Sequence, residues 1–139
     1  MARRVPPLAF MGARTFRELE VWQLAETLRM AIVKHTATAT VRQDFRFCSE
    51  IQSAARSVTA NIAEGFTRFR PTEFTQFARY AHGSLAEVQT YLYELRHRSL
   101  VSPASSDELE TLASRTGAAL TALIRYLKSS DANTRSRKF

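Results

Sequence analysis

The stretch TANIAEGFTR, residues 59–68, places an asparagine and a glutamate three positions apart in an otherwise small and apolar run. A glutamate acts as a general acid or base when a second titratable group shares its cleft. No histidine or second carboxylate accompanies Glu64 at helical spacing, whereas Ser57 and Asn61 share its face. Arg68 follows Glu64 by four positions, the spacing of an ion pair on a helix. We therefore interpret Asn61 and Glu64 as a polar network near a helix end.

Other patterns that would indicate catalysis or a bound cofactor do not occur in the sequence. His35, His82 and His97 are scattered and form no recognisable metal-binding motif. The segment HGSLA around Ser84 lacks the G-x-S-x-G of a nucleophile elbow, and no glycine-rich loop for phosphates is present. We therefore expect a protein that is not an enzyme and that has no catalytic residue, no metal and no cofactor.

The single cysteine, Cys48, cannot form an intramolecular disulfide. Its neighbours Phe45, Phe47 and Ile51 are apolar, which favours a buried thiol that behaves as a small hydrophobic side chain. No stretch approaches the roughly 20 apolar residues that cross a membrane. We expect a reducing, cytoplasmic location and no membrane contact.

The charge of the chain is strongly positive. The formal net charge is +7, and of the 20 basic residues only Lys34, Lys128 and Lys138 are lysines. Such an excess of arginine suits phosphate backbones or acidic surfaces. Codon bias in a GC-rich genome is an equally good explanation of the arginine-to-lysine ratio, but it explains the net charge less easily.

The period of the apolar residues predicts four helical segments. The third begins at Pro71, whose ring suits the first turn of a helix, and then keeps a seven-residue apolar pattern. A break at Pro103 precedes the fourth, for which Ser105 and Glu108 form a possible capping box. The segments cover about residues 16–36, 42–64, 71–95 and 105–127.

Four helices with short connections and no alternating strand pattern predict an all-α protein, an antiparallel up-down four-helix bundle. With 139 residues, one domain is expected. We predict a basic, flexible N-terminal extension over residues 1–15, the bundle over residues 16–129, and a charged, flexible C-terminal tail over residues 130–139.

Two glycines have predicted structural roles. Gly65 suits the left-handed residue just beyond a helix end, so EGF at 64–66 reads as a helix stop. Gly83 lies inside the third segment, where glycine is unfavourable, and we expect it to allow close packing against Ser53 and Ala54 of the second segment.

Three segments resemble a known family: FRELEVWQLAETL at 16–28, ARSVTANIAEGFTR at 55–68, and FTQFARYAHGSLAEVQTYLYEL at 74–95. They are similar to the four-helix-bundle proteins encoded by intervening sequences within bacterial 23S ribosomal RNA genes. The same family includes the accessory protein of diversity-generating retroelements. Because the family pattern begins at Phe16, Met11 is a second candidate for the start codon, and no function is assigned to Arg3 and Arg4.

The resemblance covers about residues 16–128 and implies a homopentamer. It further implies a basic surface that contacts RNA or, in retroelements, nucleic acid and a reverse transcriptase. It implies no catalytic residue.

In an up-down bundle, one end gathers the start of the first helix, the end of the second, the start of the third and the end of the fourth. Basic residues outnumber acidic ones at that end, whereas acidic neighbours offset Arg96 and Arg98 at the other. We predict that the nucleic-acid-binding residues are Arg14, Arg17, Arg68, Arg70, Arg125 and Lys128.

Three functional hypotheses follow. The leading one is a nucleic-acid-binding accessory protein, with RNA as the expected ligand and phosphate contacts as the source of affinity. The second is an oligomeric scaffold that docks another protein, such as a reverse transcriptase, without binding nucleic acid. An enzyme with an unrecognised site is the weakest. A reverse transcriptase gene beside this one would favour the scaffold, and a location inside a ribosomal RNA gene would favour the intervening-sequence role.

We predict a homo-oligomer, a pentamer, held by apolar surface beyond the core of one bundle. The third segment carries a second apolar face, wider than a monomer core requires, on which Phe77, Tyr80 and Tyr91 are the expected contact residues. Light scattering should give a mass several times that of one chain at micromolar concentration. A stable monomer under those conditions would rule this out.

Overall fold

A computed structural model describes the backbone of residues 12–138 and the side chains of residues 12–129. Most of the predicted N-terminal extension, residues 1–11, lies outside the described residues. Within residues 12–138 the chain forms five helices and no strand, so the predicted all-α class is confirmed. A short 3-10 helix, Phe16–Glu18, comes first, and the helices are α1 Glu20–His35, α2 Ala39–Arg42, α3 Phe45–Phe66, α4 Pro71–His97 and α5 Pro103–Lys138. None of these helices is long and apolar enough to cross a membrane.

Side-chain caps set where several helices begin. The Asp44 carboxylate accepts the backbone N–H of Phe47 at 3.1 Å and so starts α3. At α5, Ser102 Oγ accepts the N–H of Ser105 at 3.1 Å, and Pro103 occupies the first helical position. The predicted capping box at Ser105 is therefore wrong, because Ser102 already caps the helix.

The α3 and α4 helices run antiparallel, and three contacts trace their pairing from one end to the other. These contacts are Phe66 with Phe74, Ser57 with Ser84, and Phe47 with Tyr91. The α4 and α5 helices are also antiparallel, since Arg96 meets Asp107 near one end, whereas Leu85 lies opposite Gly117 further along. The α1 helix packs against both α3 and α5, so each of the four long helices packs against two others.

The core lies between these four long helices. The predicted apolar pattern of the third segment is confirmed, because every member is buried in α4: Phe74, Ala78, Ala81, Leu85, Val88, Leu92 and Leu95. On α5 the buried residues Leu120, Leu123 and Leu127 face the same core. Since these inward positions are fixed, the polar residues beside them point to the flanks of the helices.

The α5 helix is longer than predicted. The proposed tail begins at residue 130, but the described backbone stays helical to Lys138. Neither glycine nor proline occurs after Gly117, so no residue that strongly breaks a helix stands in this stretch.

The prediction that Gly65 is a left-handed helix stop is wrong. Gly65 is buried within the last turn of α3, and the residue of the following turn that has a positive φ is Phe69, at 63°. A Cβ on Gly65 would lie 2.6 Å from Phe74 Cδ1 and 2.9 Å from Phe77 Cβ. The lack of a side chain at Gly65 therefore allows α4 to approach α3 closely.

The expected packing role of Gly83 is also wrong. Gly83 is exposed, and a Cβ built there would meet nothing within 4 Å. Ser84 is the residue that contacts α3 at this level, through its hydrogen bond with Ser57. No contact within the described part of the chain explains a glycine at position 83.

The two glycines should respond oppositely to alanine. Gly83→Ala should raise the free energy of unfolding by about 1 kcal/mol, because alanine favours the helix and meets no neighbour. Gly65→Ala should lower it by about 1–2 kcal/mol, because overpacking against Phe77 Cβ outweighs the same helical gain. Urea unfolding at one fixed protein concentration measures both. Equal stabilisation by the two changes would contradict the close approach at Gly65.

Candidate nucleic-acid interface

The polar residues of the NIAEG stretch form the network expected from the sequence. Asn61 Nδ2 donates to the Ser57 carbonyl oxygen at 2.8 Å and to Ser57 Oγ at 3.1 Å. Ser57 Oγ lies 2.8 Å from Ser84 Oγ, so the network continues from α3 to α4. Glu64 accepts a hydrogen bond from Arg68 at 2.7 Å, which confirms the predicted ion pair.

The turn between α3 and α4 carries two of the predicted binding arginines. The Arg68 guanidinium also lies 4.8 Å from the centroid of the Phe77 ring. Arg70 Nε is 3.7 Å from Glu73 Oε2. Both arginines are exposed, but each stands beside a carboxylate that offsets its charge.

A basic groove lies between α4 and α5, with a volume of about 370 Å³. The residues that line it are Arg79, His82, Thr121, Ile124, Arg125 and Lys128. Among the described residues, neither an aspartate nor a glutamate lines it. Within the side chains of residues 12–129, no ion pair involves Arg79, Arg125 or Lys128. Within the side chains of residues 12–129, the groove therefore holds three cations that form no ion pair with a carboxylate.

The antiparallel register explains why these residues meet. Since Leu85 lies opposite Gly117, residues before 85 on α4 face residues after 117 on α5. Arg79 and His82 are exposed on the flank beside the buried Ala78 and Ala81. Arg125 and Lys128 of the predicted set belong to this groove. The predicted set did not include Arg79 and His82. Their three-residue spacing places them on one face of α4, and this pattern is visible in the sequence.

Arg14 and Arg17 lie elsewhere. The backbone N–H of Arg14 donates to Glu18 Oε1 at 3.1 Å, and the Arg17 guanidinium lies 4.7 Å from the centroid of the Phe16 ring. The 3-10 helix that carries Arg17 packs against α1 and α3, not against the groove. The six predicted residues thus fall into three groups: the groove, the α3–α4 turn and the 3-10 segment.

At the other end of the helices the arginines are neutralised. Arg96 bonds Asp107 at 2.6 Å and Glu110 at 2.9 Å. Arg98 bonds Glu94 at 2.8 Å and Asp44 at 3.0 Å. The hydrogen bonds from Glu110 and then Asp107 raise the pKa of Arg96. The charge offset expected from the sequence at this end is confirmed.

Of the three predicted contact residues of the oligomer, Phe77 and Tyr80 contact each other, and Tyr91 lies further along α4. The rings of Phe77 and Tyr80 meet edge to face with centroids 5.5 Å apart, and Tyr80 keeps 50% of its surface exposed. Tyr91 packs instead against Phe47, with centroids 5.7 Å apart, and burial raises the pKa of its hydroxyl. Eleven residues of helix, about 16 Å, separate Tyr80 from Tyr91.

Another cleft, of about 460 Å³, lies near the end of α1 and the start of α3. Val33, Arg42, exposed Phe45 and Cys48 are among its lining residues. Cys48 is buried, its thiol donates to the Val41 carbonyl oxygen at 3.2 Å, and burial raises its pKa. The predicted burial of Cys48 is confirmed.

The described residues contain no cluster of histidine, cysteine or carboxylate side chains that could hold a metal ion.

Residues 17–122 match the family described as 23S rRNA-intervening sequence protein. The chain belongs to this family. Among curated proteins, no sequence matches the chain. The family match includes Arg79, His82 and Thr121 of the groove, whereas Arg125 and Lys128 lie just beyond it.

The end of the helices that carries Arg96 and Arg98 should have a pH-dependent effect on the stability of the fold. The hydrogen bond from Phe47 N–H, and then the one from Arg98, lowers the pKa of Asp44. A carboxyl with a lowered pKa stabilises the fold above its unfolded value, and that stabilisation is lost as pH falls through the folded value.

Asp44→Asn should therefore lower the thermal midpoint at pH 7, and the gap to the parent chain should close as pH falls below about 4. Asp107→Asn is the matched control, because Arg96 keeps Glu110 as a partner. A gap that stays constant from neutral to acid pH would contradict the role of the Asp44 charge.

Proposed function

We propose that this protein is a non-catalytic, cytoplasmic accessory protein that binds nucleic acid, and RNA in particular, through phosphate contacts at its basic end. The observation that carries the proposal is the α4–α5 groove, where Arg79, Arg125 and Lys128 stand together without an ion pair among the described side chains. Unpaired cations in a concave surface attract phosphates more strongly than cations already held by carboxylates.

The groove, more than the α3–α4 turn, should supply the affinity. Glu64 and Glu73 already offset Arg68 and Arg70, so a phosphate must compete with these carboxylates there. No such competition arises from the residues that line the groove. The structure thus supports a ranking of the predicted cations in which Arg125 and Lys128 come first.

We further propose that the chain is an antiparallel up-down four-helix bundle that assembles as a homopentamer. The closed ring of packed helices supports the bundle. Exposed Tyr80 supports an oligomer contact on the outer face of α4, because aromatic side chains are enriched at protein interfaces. A ring of subunits would repeat the basic groove and strengthen its field.

Binding of this kind is largely independent of sequence. Phosphate contacts position a protein on nucleic acid and carry no base information. Each contact releases condensed counterions, so the logarithm of the binding constant falls linearly with the logarithm of salt concentration.

A protein-docking scaffold is the second candidate, in which the partner would be a protein such as a reverse transcriptase. Three exposed apolar side chains at the end of α1 and the start of α3 favour it: Met30 at 60%, Val33 at 40% and Phe45 at 80% exposure. Val33 and Phe45 line the same cleft. Exposed apolar clusters of this kind are typical of protein contacts.

The Arg125→Ala/Lys128→Ala variant tests the leading proposal by fluorescence anisotropy over a range of salt concentrations. It should weaken binding to all RNA sequences alike and flatten the salt slope by about 0.7 per lost contact on single strands. The Arg68→Ala/Arg70→Ala variant should do less, and Arg96→Ala/Arg98→Ala least.

The Arg56→Ala/Arg115→Ala variant is a charge-matched control, because both arginines are exposed and neither has an ion pair within residues 12–129. Equal losses in this control and in the groove variant would show that net charge, and not the groove, drives binding. Absence of RNA binding by the parent protein would favour the scaffold.

A further inference from the structure

Phe69 has an unusual backbone conformation in the turn between α3 and α4. Its φ is 63°, in the left-handed region. The turn must reverse the chain within the residues between Phe66 and Pro71, and Arg70 is extended, as the residue before a proline must be. The reversal therefore falls on Phe69.

A bulky side chain is a poor choice for this conformation. Glycine adopts a left-handed φ without steric cost, whereas a side chain with a Cβ pays for it in free energy. Residues kept in such conformations concentrate at functional sites. The strain at Phe69 therefore favours a functional role for its aromatic ring.

Much of Phe69 is exposed to solvent. Phe69 keeps 44% of its surface exposed and lies outside the buried cluster formed by the long helices. By contrast, Phe66 and Phe74 on either side of the turn are buried and pack edge to face.

Two arginines and the basic groove lie near Phe69 along the chain. Arg68 and Arg70 flank it in sequence, and both are exposed. The basic groove follows along α4, with Arg79 about 12 Å from the start of the helix. Because α5 runs antiparallel to α4, Lys128 is the groove residue of α5 closest to the turn. A polyanion in the groove would thus extend towards Phe69.

We propose that Phe69 is a stacking platform for a base of single-stranded nucleic acid whose phosphates occupy the α4–α5 groove. This inference rests on the proposed function and specifies its ligand. Bases of a single strand are exposed and stack on aromatic rings, whereas bases of a duplex are already stacked on each other. An exposed ring between two arginines therefore selects single strands over duplexes.

The test measures the affinity of the full oligomeric protein for three labelled probes: oligouridylate, an abasic strand with the same number of phosphates, and a duplex RNA. The parent protein should bind oligouridylate about fivefold or more tightly than the abasic strand, which is the lower range expected for one stacked base.

Three substitutions separate the ring from its bulk and from the strain. Phe69→Leu keeps an apolar side chain but removes the aromatic face, so it should abolish the preference for oligouridylate over the abasic strand. Phe69→Trp should preserve that preference. Phe69→Gly should abolish it as well, with a thermal midpoint no lower than that of the parent protein. In all three variants the salt slope should stay unchanged, because the phosphate contacts remain.

Loss of the preference in Phe69→Leu, with an unchanged salt slope, supports stacking. Equal affinity of the parent protein for the abasic strand and oligouridylate would overturn the inference while leaving phosphate binding intact. A changed oligomeric mass in Phe69→Leu or Phe69→Gly would overturn it too, because the ring would then belong to a subunit contact. Failure of the parent protein to bind any probe would remove the proposed function itself.

Discussion

The close approach of α3 and α4 at Gly65 is the constraint on which the basic end depends. With no Cβ at this position, the Phe74 and Phe77 side chains lie where an alanine methyl group would collide with them. The approach sets the level at which α4 starts beside α3, and the Ser57–Ser84 hydrogen bond holds the same pairing further along. It also leaves few residues for the chain reversal, which explains why Phe69 takes a left-handed conformation. The register of α4 in turn decides which residues of α5 face Arg79 and His82.

The two ends of the helices differ less in the number of arginines than in how those arginines are paired. Arg96 and Arg98 each bond two carboxylates, so little of their field extends into solvent. In the groove, Arg79, Arg125 and Lys128 come from two helices, and none of the described residues that line the groove is acidic. Like charges in one groove repel one another, and a bound polyanion would offset them. A count of charges would miss this difference, which exists only in the paired structure.

Much of the fold followed from local patterns. Buried positions on α4 repeat with the helical period, and Pro71 starts that helix as expected. The packing around the glycines and the composition of the groove could not be predicted from the sequence, because both depend on how closely and in which register the helices pack. The sequence predicted a helix end at Gly65 and close packing at Gly83, yet Gly65 is the one that packs against Phe74, and Gly83 faces open space. Likewise, Arg79 and Arg125 lie 46 positions apart, and only the antiparallel register brings them into one groove.

The most direct measurement is amide chemical-shift mapping of the full-length protein during titration with single-stranded oligouridylate. Binding at the basic end should shift the amides of residues 67–70, 79–82 and 121–128 first and by the largest amounts. The amides of residues 94–98 and 107–110, where the arginines are already paired, should change little. Dominant shifts at that second end, or around Met30 and Phe45, would contradict the assignment of the groove as the phosphate-binding surface.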